Sequence, residues 1–397
     1  MTRGGWRASL APERGEQGFP GGERQRMNAL RVARAEEKKR IAVIPGDGIG
    51  VEVTAEASKV LRAVSTAAGR ELELVEFDWG AERYLRDGVS LPPGAEEMLR
   101  REFDAILIGA LGDPRVPSMK HAADILLGLR FKLDLFVNAR PIELLDSRLT
   151  PLRDRTERDI HFIVFRENTE GLYVGMGGIF KKGTPEEIAI QEDVNTRKGV
   201  ERIMRYAFEY ARQHKLRRLC MSDKSNALIY GHDLWQRVFA QVREEYPEIE
   251  STHWYIDALS MQMVKDPSQF QVIVTCNMFG DIISDLGAQL AGGMGLAPSG
   301  NINPESVSLF EPVHGSAPKY AGKNLANPLA AILAAAMMLD HLGWADEAVA
   351  VQTAVRTSVR EKQTARDLGG SLGTREVGDW VANYIIKQGV QRAGARV

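Results

Sequence analysis

From Arg40 onward, short apolar runs alternate with stretches of helical spacing, and this alternation limits the folds open to the chain more than any other feature. IAVIPGDGIG reads as a strand ending in a glycine turn, and VEVTAEASKVLRAVSTAA follows with the apolar period of a helix. Next come ELELVEFDW (strand), a helix through AEEMLRREF, and DAILIGALGDP (strand and loop). Such βαβ order predicts an α/β fold with a largely parallel sheet. DIHFIVFREN, RRLCMSDK and QVIVTCN are further buried-strand candidates, β-branched and bounded by polar residues. Helices are predicted over TRKGVERIMRYAFEYARQ, GHDLWQRVFAQVREEY, PLAAILAAAMMLDHLG and VGDWVANYIIKQ. At 397 residues the chain exceeds one small core, and two domains are expected. The glycine-rich stretch 171–183, followed by EEIAIQEDV, reads as an extended hairpin. A lone two-stranded ribbon is marginal in water, so it is a candidate arm for a partner subunit.

Residues 1–38 stand apart. They are rich in Gly, Arg and Glu, have no hydrophobic period and carry Pro12, Pro20 and a Gly21-Gly22 pair, which predicts a disordered tail. The tail lacks the apolar core of a signal peptide, its acidic residues disfavour a transit peptide, and Met27 is a candidate alternative start. A formal net charge of −2 gives no basic field for nucleic acid. No apolar run approaches the roughly 20 residues that span a bilayer. Cys220 and Cys276 lie in apolar runs, as small buried hydrophobes do, and fit a reducing cytoplasm. The seven histidines show no zinc-ligand spacing.

Chemistry concentrates at the ends of these elements. After QVIVTCN, the stretch 277–295 (NMFGDIISDLGAQLAGGMG) has helical spacing, so Asp281 and Asp285 project from one face, one turn apart. An isolated pair of this kind is more often a solvated acidic face; at a strand's end it is also a candidate site for a hard divalent cation. Asp257 in YIDALSMQMV is a third acidic candidate. Arg130, Arg140 and Arg166 fall on three strand or loop ends, and arginine suits bidentate carboxylate capture. Leu126 and Leu127 would set an apolar wall beside Arg130, although core packing explains them equally well. Tyr173 in EGLYVG and Lys224 in SDKSNAL are candidate proton-transfer groups. PGDGIG matches neither nucleotide fingerprint, and a tight strand-to-helix turn accounts for it as well as a ligand does. EPVHGSAPKYAGKNLANP, dense in small residues, is a loop that a flat ring can approach, with His314 as a contact to an adenine or ribose.

In this order, IPGDGIG, LLGLRxxLDLFVNxRP, RENTEGLYVG, SDKSN, NMFGDIISDLGAQLAGGMG and EPVHGSAPKYAGKNLANP resemble the isocitrate/isopropylmalate family of β-decarboxylating dehydrogenases, over about Arg40 to Gly370. The resemblance implies two α/β domains with a cleft between them, and not a Rossmann fold. Residues 39–135 plus 292–397 would form the cofactor-binding domain; 136–291 would form the dimerisation and metal/substrate domain with its protruding arm. Arg130, Arg140 and Arg166 would hold substrate carboxylates, and Asp257, Asp281 and Asp285 would bind Mg²⁺ or Mn²⁺. Lys224 would be the base and Tyr173 the acid, with Lys224 and Asp257 reaching the site from the other subunit of a homodimer. Ile49, His314, Gly315, Ser316, Ala317, Ala326 and Asn327 match the family's cofactor site. Lys319 and Tyr320 resemble NADP-dependent members, and the Ala326-Asn327-Pro328 run resembles NAD-dependent ones; NAD is expected, with NADP the alternative. The Leu126-Leu127 wall resembles that of members acting on 3-isopropylmalate in leucine synthesis. Isocitrate, homoisocitrate and tartrate or malate remain alternative substrates, and a non-catalytic regulatory subunit is the reading from another class.

Overall fold

The expected runs form β1 (Lys39–Gly46), β2 (Leu72–Glu76), β3 (Ala105–Ala110), β5 (His161–Glu167), β8 (Arg218–Asp223) and β10 (Val272–Thr275), and the expected hairpin forms β6 (Gly177–Phe180) and β7 (Ile188–Gln191); β4 (Val137–Glu143), β9 (Glu250–Tyr255), β11 (Pro298–Ile302) and β12 (Ser308–Pro312) are strands outside the expected runs. Ten of them form one sheet in the order β2-β1-β3-β12-β11-β4-β5-β10-β8-β9, and β6 and β7 form a separate antiparallel ribbon. This computed structural model describes residues 38–391, so all of the expected disordered tail except Lys38 lies outside the described residues.

The expected helices form at Ile49–Ala68, Ala95–Glu102, Arg197–Gln213, Gly231–Val242, Leu329–His341 and Thr374–Gln388. The helix Leu329–His341 is apolar nearly all round because it is buried, packing on β11, β12 and the Ile49–Ala68 helix. Thr196 caps the Arg197–Gln213 helix by accepting the Gly199 amide. Strands β3 and β10 are buried at every residue, as expected where both faces of a sheet are covered.

The sheet is parallel only in its wings. Six of its nine pairings are parallel, as the largely parallel expectation has it; the three central ones, β12–β11, β11–β4 and β4–β5, are antiparallel. The reason lies in the connections. β11 joins β12 through a short loop, and β4 joins β5 without a full α-helix; such links suit antiparallel neighbours, whereas parallel ones need a crossover. The strand order also divides by sequence. Strands from 39–135 and 292–397 make the β2-β1-β3-β12-β11 half, and strands from 136–291 make the β4-β5-β10-β8-β9 half.

Register places a row of polar side chains on one face where the halves meet. Asn301 pairs with Asn138, Asn138 with Arg166, and Ser299 with Glu311. The Asn301 carbonyl accepts from Asn138 (3.0 Å) and Asn168 (2.9 Å), and its amide donates to Glu311 (2.7 Å). Asn138 also donates to Ser299 at 2.8 Å, and Arg130 to Glu311 at 3.0 Å. On the same face, apolar clusters flank this row: Ile106, Ile108, Leu129 and Leu309 on one side, and Ile142, Phe162, Val164 and Ile283 on the other. Because the row is buried, each amide needs its partners. Asn301→Leu should lower stability by on the order of 2–4 kcal/mol by orphaning neighbouring donors. Urea unfolding measures this, and a loss under about 0.5 kcal/mol, the range of ordinary surface changes, would show the row to be dispensable.

Candidate active site

The expected acidic helix forms at Asn277–Leu290 and lies across β4 and β5. Gly280 makes that approach possible: a Cβ there would stand 2.5 Å from the Arg166 Cβ. The next residue, Asp281, therefore reaches the arginines directly. Arg166 bonds Asp281 through Nη1 and Asn277 Oδ1 through Nε (2.9 Å). Arg140 sits 3.1 Å from both Asp281 and Asp285 and donates to Ser284 at 2.7 Å. The Tyr173 hydroxyl donates to the other Asp281 oxygen at 3.0 Å, and its ring lies under the Arg166 guanidinium.

All three arginines are buried, and they converge on one cavity of about 390 Å³. The cavity is also lined by Leu126, Leu127, Tyr173, Asp281, Glu311, His314 and Gly315. Arg166 is 1 % exposed, and burial together with Arg140 pulls its pKa below the ordinary value, against Asp281. The Nε–H groups of Arg130 and Arg140 are buried without a partner. Buried cations short of acceptors suit an anionic ligand with more than one carboxylate. Arg130 corrects its expected place on a strand or loop end, since it lies in the helix Gly128–Lys132, and Arg140 lies within β4. The run ILLGLRFK is half-buried, with Ile125 and Leu129 facing the core, so a helical face hid inside an apolar stretch.

The carboxylates titrate apart. Burial pushes Asp281 up, but Arg166, Arg140, the Tyr173 hydroxyl and Arg130 outweigh it and leave Asp281 below its ordinary value. Burial, and then Asp281, raise Asp285, against the lowering pull of Arg140 and, more weakly, Arg166. Burial and then Asp281 raise Tyr173, so it keeps its proton at neutral pH. Asp281 and Asp285 offer hard oxygen donors, which fit Mg²⁺ or Mn²⁺ in kind. Within this single chain, no group of three His, Cys, Asp or Glu that could hold a metal forms among the described residues.

Lys224 and Asp257 stand elsewhere. Lys224 follows β8, Asp257 opens the helix Ile256–Lys265, and they pair at 2.7 Å outside the cavity lining. His232 accepts the Lys224 backbone amide at 2.9 Å, and Asp223 behind it bonds His253 at 2.9 Å.

Of the residues matched to the cofactor site, His314 and Gly315 line the cavity. Ile49 and Ser316 join loops: the Ile49 amide donates to the Ser316 carbonyl at 2.8 Å, and the Ser316 hydroxyl donates to the Gly112 carbonyl. Gly48 must be glycine, because a Cβ would meet the Ser316 carbonyl at 2.1 Å. Ala317 has a φ of 37° and starts the turn Pro318–Tyr320, where the Lys319 ammonium sits 4.9 Å over the Tyr320 ring. Ala326 is buried, and Asn327 accepts the Leu329 amide at the start of the following helix and donates to Asp367. Sequence reasoning passed over Glu311, Asn277 and Ser284, although each lies within or beside a motif; a carboxylate opening EPVHG was the available signal for Glu311.

Fold and site together define an enzyme class. Residues 40–381 match the isocitrate/isopropylmalate dehydrogenase family, and the chain belongs to it; it is a dehydrogenase. Among curated relatives it is 49% identical to the 3-isopropylmalate dehydrogenase of Thermobifida fusca (88% of this chain, 98% of that one). It is 50% identical to that of Corynebacterium kroppenstedtii (87% and 99%). A crystal structure of isocitrate dehydrogenase from Methylococcus capsulatus superposes with a TM-score of 0.79 at 36% identity, covering 88% of this chain and 99% of that one.

Arg166→Met should destabilise the chain by roughly 2–4 kcal/mol, because Asn277 loses its guanidinium donor and Asp281 keeps only Arg140 and the Tyr173 hydroxyl. The lower end applies because Asp281 is 34% exposed. Because Asp281 also serves Arg140 and Tyr173, Asp281→Leu should cost stability by itself, but in urea unfolding the double variant should lose less than the sum of the two single losses; additive losses would show the two groups to be uncoupled.

Proposed function

We propose that the chain catalyses the oxidative decarboxylation of 3-isopropylmalate in leucine synthesis, with NAD and Mg²⁺ or Mn²⁺, as a homodimer of the cytoplasm. The observation that carries this is the cavity itself: three buried arginines suited to two carboxylates, and Leu126 and Leu127 suited to an apolar branch. The names of the curated relatives support the same substrate. Burying an isopropyl group against the leucines contributes on the order of 1.5–3 kcal/mol, enough to favour this acid over one without the branch.

In this reading Arg130, Arg140 and Arg166 bind and orient the carboxylates. Asp281 and Asp285, with Asp257 of a second copy, would hold the cation, which would supply Lewis-acid polarisation of the hydroxyl, and a bound nicotinamide would supply the hydride acceptor. Lys224 of that copy takes the hydroxyl proton. Once CO₂ has left, Tyr173 gives its phenolic proton to the carbon that lost it. The dimer reading is supported by exposed apolar residues around the shared groups: Tyr230, Met261 and Ile282, and Ile179, Phe180 and Ile188 on the β6–β7 ribbon. The two halves of the sheet would be the two domains, 39–135 plus 292–397 and 136–291, with the cavity in their cleft. Ile49, Gly315, Ser316, Ala317, Ala326 and Asn327 would shape the cofactor loops, with His314 against the adenine or ribose.

A matrix of turnover against 3-isopropylmalate, isocitrate, homoisocitrate, tartrate and malate, with each cofactor and metal, tests the proposal. Turnover should be fastest with 3-isopropylmalate; robust isocitrate turnover without it would overturn the reading, and inertness toward all would revive a regulatory subunit. NADP is a second reading favoured by one observation, the exposed Lys319 ammonium beside Tyr320. If Lys319 meets a 2′-phosphate, Lys319→Asp should shift the NAD/NADP ratio of kcat/KM toward NAD by tenfold or more, since each tenfold corresponds to about 1.4 kcal/mol; an unchanged ratio removes NADP.

A further inference from the structure

His121 is wholly buried, and none of the roles above uses it. Its Nε2 lies 2.8 Å from Asp47 Oδ2; against a carboxylate the ring nitrogen donates. Asp47 is buried in the PGDGIG turn and accepts two backbone amides as well, Ala81 at 2.6 Å and Gly112 at 2.7 Å. Gly112 in turn accepts the Ser316 hydroxyl, and Ser316 accepts Ile49. The bonds therefore run unbroken from the loops at 45–50 and 314–317, through Asp47, to His121.

On the other side, His121 belongs to the segment that carries the cavity wall. That segment begins with two consecutive left-handed residues, Ser118 (φ 53°) and Met119 (φ 52°). It continues as a π-turn over Ala123–Leu127, which contains both leucines, and ends in the helix holding Arg130. Left-handed non-glycine residues and π-turns hold their shape only where surrounding contacts impose it. The buried His121–Asp47 bond is such a contact. The Nδ1 of His121 is buried with no partner, so the ring is fixed through one nitrogen alone.

We propose that His121 is a positioning residue that couples the two binding regions: through Asp47 it locks the strained wall segment to the cofactor-side loops, so that filling one region organises the other. This rests on the 3-isopropylmalate and NAD reading. Coupling between two ligands is a ratio of binding constants and is read without catalysis.

The test uses the full-length protein and titration calorimetry with 3-isopropylmalate and NAD, each alone and in the presence of the other. In the wild-type chain each ligand should tighten the other at least about fivefold. His121→Met keeps the bulk but removes the donor, and leaves Asp47 its two amides. It should bind each ligand alone within about threefold of wild type while the coupling factor falls toward one. His121→Gln, whose amide nitrogen reaches the place of Nε2, should keep most of the coupling. Full coupling in the Met variant, or its absence in the wild type, overturns the proposal. Should the Met variant fail to melt cooperatively, the nitrogen resonances of His121 in the wild-type chain decide: they should shift when NAD binds alone, and a ring blind to NAD refutes the coupling. A wild-type chain that turns over and binds another hydroxy acid instead rejects the substrate reading; repeating the titrations with that acid then judges His121 separately.

Discussion

Charge that must be kept out of water organises this molecule. Arg130, Arg140 and Arg166 are removed from solvent within one cavity, where like charges repel and desolvation is costly. The chain offsets this with carboxylates drawn from both halves of the sheet. Glu311 comes from β12 on one side, and Asp281 and Asp285 come from the helix that crosses β4 and β5 on the other. The row of amides between them, Asn301, Asn138 and Asn168, carries the network across the seam. Two apolar clusters then seal its flanks. Take away the compensation and the buried guanidinium groups would have no reason to stay where they are.

The same arrangement separates protons by environment. Arg166, Arg140 and Arg130 hold Asp281 below the ordinary carboxylate range, whereas burial and Asp281 lift Asp285 above it despite Arg140 and Arg166. Tyr173 bonds to Asp281 and keeps its proton. A few ångströms of sheet and helix thus give three acidic groups three different affinities for a proton.

How much of this was legible in the sequence depends on the element. Wing strands that are continuous apolar runs, such as AILIGA and VIVT, were readable, whereas the edge strand β9, ESTHWY, was not, because its mixed polar run is half-exposed. The acidic helix was readable because Asp281 and Asp285 keep helical spacing beside a strand. β11 was not: PSGNI has no apolar period, and it is a strand only because Asn301 and Ser299 find partners across the seam. Arg130 was misplaced because apolar residues on both sides masked a helix. Lys224 and Asp257 share motifs with the site yet stand apart from the cavity in one chain, which no spacing could reveal. His121 left no trace, since a single histidine in MKHAAD gives no hint that an aspartate 74 positions earlier will meet it.

Gly280 carries a consequence for anyone surveying variants of this chain. A deep mutational scan would find position 280 nearly barren, beside an equally intolerant Asp281, and the two would look like one catalytic patch. Their intolerance has different origins. At 280 the Arg166 side chain already occupies the space that any Cβ would need, so the loss is one of volume, and every replacement from alanine upward should fail by the same route. Sorting survivors by abundance as well as by turnover would separate crowding from chemistry at adjacent positions.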